Sequence, residues 1–298
     1  MMATSNRIKI GNFLRNHKKT LLIAEKINKF LYNSTGSYHI LPDFLIIGAA
    51  RSGTTSLYEY LIQHPSVIPG IGKEVYYFDK EYAKGINWYR SFFPTKNKKL
   101  NIEKQLQTKC ITGEATPRYL YHPHSPKRVF EILPNVKLIV LLRNPVDRSY
   151  SHYQMEVSSG NEELTFEEAI EQEEDRINDD MKKMEQDENY YSVNFYRKSY
   201  ITRGKYVQQL KRWLKFFPKD QILILKSEDL YSEPSKIYNQ VLNFLNLPLH
   251  EIDSFKPHRM RKYTQIKPET RKKLEDYFKP YNRELYVLLN RDFGWEDE

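Results

Sequence analysis

Phe44-Leu-Ile-Ile-Gly-Ala-Ala-Arg-Ser-Gly-Thr-Thr-Ser-Leu57 starts as a short apolar run, breaks at a glycine and resumes in residues that suit a helix. Phe44 to Ile47 predicts a buried strand. The turn through Gly48, Arg51, Ser52 and Gly53 predicts a loop that enters a helix at Thr54 and Thr55. Gly48 and Gly53 have the spacing of a phosphate-binding loop, in which backbone N–H groups and a helix N-terminus close around an anion. The nucleoside-triphosphatase form of that loop places Lys and then Ser or Thr after the second glycine. Here Thr54 follows Gly53 directly, and the cation is Arg51, two residues ahead of the glycine. The loop suits a nucleotide phosphate but not ATP with magnesium.

Outward from this stretch, strand and helix signals alternate. Cys110 to Glu114 reads as a short strand, and Ser125-Pro126 as a helix start with Ser125 as the cap, ending near Leu133. Lys137 to Leu142 is a continuous apolar run typical of a central parallel strand. Asn144-Pro145-Val146-Asp147 combines a cap, a proline at the first helical position and an acid in the first turn. Residues 203–217 predict an amphipathic helix through Tyr206, Leu210, Trp213 and Leu214. Gln221 to Leu225 predicts another strand and Pro234 to Leu245 another helix. The alternation predicts an α/β fold, one domain with a central parallel β-sheet flanked by helices. Pro42 divides a basic extension, residues 1–41 and expected to be helical, from the domain proper, residues 42–298.

Within 298 residues there is room for a substantial core, and a formal net charge of +9 favours an anionic ligand, acceptor or surface. No nucleic-acid-binding signature accompanies the charge, so no nucleic-acid partner is expected. Cys110 is the one cysteine, which leaves no intramolecular disulfide and is compatible with a reducing compartment. No apolar run is long enough to span a bilayer, and the expected location is cytoplasmic. A luminal catalytic domain cut from a Golgi membrane anchor would read the same. Apolar positions among the lysines of residues 7–32 would also allow peripheral membrane contact, although packing on the domain is the simpler reading. The acidic residues 162–188 read as a solvated helix and loop, with a substrate-facing lid as the sharper alternative.

Three further segments bear on chemistry. Lys73-Glu74 precedes an aromatic run, where a carboxylate would be desolvated and made more basic, although a plain surface ion pair has the same appearance. Arg143 ends the central strand, where open α/β sheets bind ligands, and Ser151 lies two helical turns on; together they would clamp a second, separate phosphate. Lys256-Pro-His-Arg-Met-Arg-Lys-Tyr263 clusters cations around an aromatic that would close over a nucleotide.

In order and spacing these motifs resemble the nucleotide-dependent sulfotransferases, above all the carbohydrate branch with its heparan-sulfate type and bacterial relatives. The resemblance covers nearly all of residues 42–295. It includes Leu142-Arg-Asn-Pro-Val-Asp-Arg-Ser-Tyr-Ser-His-Tyr153, Gly204-Lys-Tyr206 and the closing Asn290-Arg-Asp-Phe-Gly-Trp295. It implies a P-loop-like sulfotransferase fold and 3′-phosphoadenosine 5′-phosphosulfate (PAPS) as donor, released as adenosine 3′,5′-bisphosphate (PAP), with no metal. It implies that Arg51, Ser52, Gly53, Thr54 and Thr55 bind the phosphosulfate and that Arg143 and Ser151 hold the 3′-phosphate. Arg261 and Lys262 would close over the nucleotide. Glu74 would be the general base, with Arg51 and Lys73 beside it in the catalytic set, acting on a hydroxyl or amine of a glycan acceptor. Should Glu74 not serve, His122, His124 and His152 are the next candidates.

Two departures stand out. The heparan-sulfate type has Lys where this chain has Arg51, and its Glu-Lys-Ser or Glu-Lys-Thr segment is here Glu114-Ala115-Thr116, with Arg118 as a substitute charge. The competing expectations are a nucleotide kinase or other P-loop triphosphatase, and a non-catalytic binder of an anionic glycan or membrane surface.

Overall fold

The computed structural model describes residues 34–256 and 264–296. Most of the basic extension, and Arg261 and Lys262, therefore lie outside the described residues. Of residues 34–41, Gly36–Tyr38 forms a single 3₁₀ turn.

Four parallel strands, β1 (Phe44–Gly48), β2 (Gly113–Glu114), β3 (Lys137–Leu142) and β4 (Ile222–Lys226), form one sheet in the order β2-β1-β3-β4. Leu45 pairs with Leu138, and Leu138 with Ile222. Every residue of β1 is buried, as are all of β3 after Lys137. The reason lies in the two-residue period of a strand, which sends alternate side chains to opposite faces, both of them covered. Leu45, Ile47, Leu138, Val140 and Leu142 pack with Leu210 and Trp213 of one helix and with Phe293 and Trp295. Phe44, Ile46, Ile139 and Leu141 pack on the other side with Leu57, Leu61, Val241 and Leu242.

The helices that matter for function are α1 (Thr54–Leu61), α2 (Ser125–Ile132), α3 (Pro145–Ser158), α4 (Phe166–Glu171), α5 (Glu173–Gln186), α6 (Val193–Arg197), α7 (Tyr206–Trp213), α8 (Ser227–Ser232) and α9 (Pro234–Leu245). Helix α3 begins as its sequence predicts: the Asn144 side chain accepts the Val146 N–H at 3.0 Å, Pro145 occupies the first turn, and Asp147 pairs with Arg271. Helix α9 has the expected limits.

Several elements differ from expectation. The strand expected over Cys110 to Glu114 contracts to Gly113–Glu114, because β2 is an edge strand that pairs with β1 at only two positions. Ser125 does not cap α2; it is buried and its hydroxyl donates instead to the Phe78 carbonyl at 3.0 Å. Residues 203–217 split into a 3₁₀ turn, Thr202–Gly204, and the shorter α7. The acidic stretch is not simply solvated. Glu162 collects Arg176 (2.9 Å), Lys198 (3.1 Å) and the Tyr200 hydroxyl (2.7 Å), and buried Glu173 accepts the Thr202 N–H at 2.8 Å. These carboxylates tie α5 to residues 198–202 at the start of the 3₁₀ turn, which a sequence run of acids does not reveal.

Two of the sequence motifs meet in space. The Tyr206 ring lies 5.9 Å from Trp295, and its hydroxyl donates to the Arg143 carbonyl at 2.8 Å. The closing motif thus braces the strand end that carries Arg143.

Candidate active site

The loop between β1 and α1 sits at the C-terminal edge of the sheet, the edge where strand ends leave backbone groups open to a ligand. Arg51 holds a left-handed conformation (φ 74°), uncommon for a residue with a side chain, and Gly53 has φ 87°. A Cβ on Gly53 would come within 3.1 Å of Leu230 and the Tyr231 hydroxyl, so the loop is closed against α8. Gly53 supplies no side-chain cap to α1, and the first N–H groups of a helix have no partner within it. The Ser52 hydroxyl is fully buried with no hydrogen-bond partner among the described residues. Unspent donors around a helix N-terminus are what a phosphate requires, and the loop fits the group that the sequence implies.

Arg51 Nε donates to Ser151 Oγ at 3.2 Å, and Arg143 Nη1 donates to the Arg51 carbonyl at 3.2 Å. The residues expected to form the two phosphate sites are therefore in contact, with Arg51 touching both Arg143 and Ser151. On the opposite wall, Lys73 Nζ donates to Thr55 Oγ1 at 2.9 Å and lies 2.6 Å from Glu74 Oε1. The Tyr76 hydroxyl donates to the other Glu74 oxygen. Burial and the Glu74 charge push the Tyr76 phenol well up, so it stays a donor. Arg51, Gly53, Thr55, Lys73, Glu74, Tyr76, Arg143 and Ser151 line one cleft of about 760 Å³.

Glu74 is half-buried and paired, not the desolvated carboxylate that its aromatic surroundings suggest. The desolvated one is Glu114, which burial raises to about 7 despite hydrogen bonds from Thr116, Tyr89 and the Val75 N–H. Of the fallback bases, only His152 lines the cleft. Burial, with Arg203, Arg148 and Arg51 nearby, holds its imidazole far below the usual range and neutral. His122 is likewise buried and pushed down, with Ser125 on its Nδ1, and His124 hydrogen-bonds the Met184 carbonyl at 2.6 Å. Arg148, on α3, is fully buried and donates to the Tyr200 carbonyl, a structural role.

Sequence reasoning assigned no role to Tyr76, Met155, Glu156, Tyr191, Val193, Tyr196, Arg197, Arg203 and Tyr231, which also line the cleft. The one signal available was the tyrosine density of residues 190–196. Arg118 does reach the cleft, but its Nε lies 3.0 Å from the buried Asp79 carboxylate.

The Sulfotransferase domain family model matches residues 41–280. The chain belongs to that family. Sulfotransferases of this family take the sulfuryl group from PAPS, and the present enzyme is a PAPS-dependent sulfotransferase with the family's open parallel sheet. It is 30% identical to the membrane-associated sulfotransferase kil1 of Dictyostelium discoideum, over 88% of this chain and 68% of kil1. It is 31% identical to the heparan sulfate glucosamine 3-O-sulfotransferase 3A1 of Mus musculus, over 86% of this chain and 65% of that enzyme. The chain thus spans about two thirds of the length of these curated relatives. A sulfotransferase crystal structure from Alicyclobacillus acidocaldarius superposes with a TM-score of 0.66 at 27% identity, covering 87% of this chain and all of the other. The triphosphatase and non-catalytic alternatives give way to this membership. No helix among the described residues is long and apolar enough to cross a membrane.

For the donor site we expect Arg143→Ala to weaken PAP binding by roughly 10- to 100-fold, the effect of losing a charge-assisted contact to phosphate. Isothermal titration with PAP checks it, and unchanged affinity would remove Arg143 from the 3′-phosphate site.

Proposed function

We propose that this sulfotransferase acts on a carbohydrate hydroxyl, with Glu74 as the base that takes the hydroxyl proton. The observation that carries the proposal is the placement of Glu74: it lies one cation away from the donor loop, joined through Lys73 to Thr55 at the start of α1. The glucosamine 3-O-sulfotransferase relative, whose name specifies a sugar hydroxyl, supports the acceptor class.

When bound, the donor supplies an activated sulfuryl group whose leaving phosphate needs neutralising charge and no proton. The chain's own residues do the rest. The loop N–H groups from Arg51 to Thr55, with the Thr54 hydroxyl, hold the phosphosulfate end, and Arg143 and Ser151 hold the 3′-phosphate. Lys73 and Arg51 place positive charge where negative charge develops on the leaving oxygen, the preorganised electrostatic contribution that dominates such transfers. Arg261 and Lys262 would close over the nucleotide. Glu74 accepts the acceptor proton as the new oxygen–sulfur bond forms, while the sulfur–oxygen bond to the 5′-phosphate breaks. Tyr76 and Lys73, one on each carboxylate oxygen, fix its aim.

Incubation with radiolabelled PAPS and a panel of glycans, lipids and phenols tests this function. Label should move to a glycan and PAP should accumulate in equal amount. A protein that binds neither PAPS nor PAP would refute it.

A further inference from the structure

We propose that the acceptor half of the cleft is a tyrosine-lined, charge-balanced wall built for the face of an uncharged sugar ring, and not for a polysulfated chain. The inference rests on the transfer function proposed above and assigns its substrate class. Tyr76 bonds Glu74 directly, so the wall begins at the base itself. From there the Arg118 guanidinium bridges three rings, 5.1 Å from the Tyr76 centroid, 5.6 Å from Tyr191 and 3.4 Å from Tyr196. Its Nη2 also donates to the Tyr191 hydroxyl at 3.4 Å. Tyr196 is buried beneath the guanidinium, whereas Tyr191 is partly exposed in the cleft. Val193, 46% exposed, continues the apolar surface at the mouth.

The cations on this side have internal counterparts. Arg118 pairs with Asp79, Lys73 with Glu74, and Arg197 Nε lies 3.9 Å from Glu156 Oε2. Arg203 is buried, with Nε on Ser199 Oγ at 2.8 Å and Nη2 on the Tyr196 carbonyl at 2.9 Å. Arg51 and Arg143 belong to the donor. A polyanionic acceptor would have to draw these cations from carboxylates that already hold them, at the cost of leaving a buried acid such as Asp79 without its partner. A pyranose draws none of them away from its carboxylate. Its C–H face stacks on an aromatic ring, and its hydroxyls find the Tyr191 hydroxyl and the guanidinium edge. An aliphatic hydroxyl also requires a positioned base in a way that a phenol does not, since it holds its proton far more tightly.

The test compares initial rates on a neutral chito-oligosaccharide, a phenol and a heparin-type polysulfated chain, at about 50 and 200 mM salt, for the native enzyme, Tyr191→Ala and Tyr191→Phe. Dissociation constants for PAP are measured in parallel. The neutral glycan should be the preferred acceptor, with little salt dependence. Tyr191→Ala should raise its KM about tenfold with PAP affinity unchanged, and Tyr191→Phe should recover most of the loss. Preference for the polysulfated chain or the phenol, absence of transfer to the neutral glycan, or an acceptor KM indifferent to Tyr191→Ala would each overturn the inference. Loss of PAP binding in the native enzyme would instead refute the transfer function itself, which separates the two failures.

Discussion

Glu74→Gln should lower kcat by roughly 10²–10⁴-fold while PAP affinity stays within about twofold, the signature of a lost general base. Glutamine has the same shape and still accepts the Tyr76 hydroxyl hydrogen bond, so the wall keeps its geometry. It cannot take a proton from the acceptor, and Lys73 retains its hydrogen bond to Thr55. Steady-state kinetics at saturating PAPS, with PAP titration as the control, separates the chemical role from donor binding. Undiminished turnover would transfer the role to another group, and among the histidines only His152 lines the cleft. That imidazole is fully buried, with Nε2 3.7 Å from Glu156 Oε1.

The second large effect concerns Glu114, which touches no cleft residue's functional group yet holds the segment that carries them. Its Oε2 accepts the Val75 N–H at 3.1 Å and the Thr116 hydroxyl at 2.5 Å, and its Oε1 accepts Tyr89 at 2.6 Å and Tyr119 at 3.1 Å. The Ala115 N–H donates to the Lys73 carbonyl at 2.9 Å, and Tyr119 Oη accepts the Tyr77 N–H at 2.8 Å. Backbone groups from Lys73 to Tyr77 thus hang from this buried cluster. Glu114→Ala strands several buried donors, each worth about 1–3 kcal/mol, and should cost about 3 kcal/mol or more in unfolding free energy. Where the variant folds, kcat should fall about 10²-fold, as expected for a displacement of about 1 Å at Glu74. Denaturant melts and kinetics read the two effects.

Glu114→Gln gives the complementary result. Burial raises the Glu114 carboxyl from 4.5 to about 7 in the folded state, so between those values the folded chain holds a proton that the unfolded chain releases. Raising pH across that window therefore disfavours the fold, and the neutral amide is exempt. The stability of Glu114→Gln relative to the native protein should improve as pH rises from about 5 to about 8. A constant difference across that range would show that Glu114 does not titrate there.

Much of the donor half was legible in the chain because its determinants are local. A strand, a glycine turn and a helix start adjoin in sequence, so Gly48, Gly53 and Thr54 announce a phosphate loop without any distant partner. The same holds for Asn144 and Pro145, which set the start of α3 and so the height of Ser151. Lys73-Glu74 was legible as a pair but not in its environment, since partial exposure and the contacts to Thr55 and Tyr76 depend on how the segment lies against α1. Ser125 misled because a buried hydroxyl answers to whichever carbonyl faces it, here that of Phe78.

Local sequence was enough for the parallel sheet, through apolar runs buried on both faces, and for the glycine loop at the end of β1, through residues a few positions apart. Three things come only from tertiary packing: that Arg51 reaches Ser151, that Arg118 is spent on Asp79, and that Tyr76, Tyr191 and Tyr196 gather around Arg118 beside Glu74. The Arg51–Ser151 and Arg118–Asp79 contacts, and those of Arg118 with the three rings, join side chains between 39 and 100 positions apart, brought together by packing of the sheet and its helices. No local periodicity encodes such pairings, because their energies come from burial and charge in the assembled cleft.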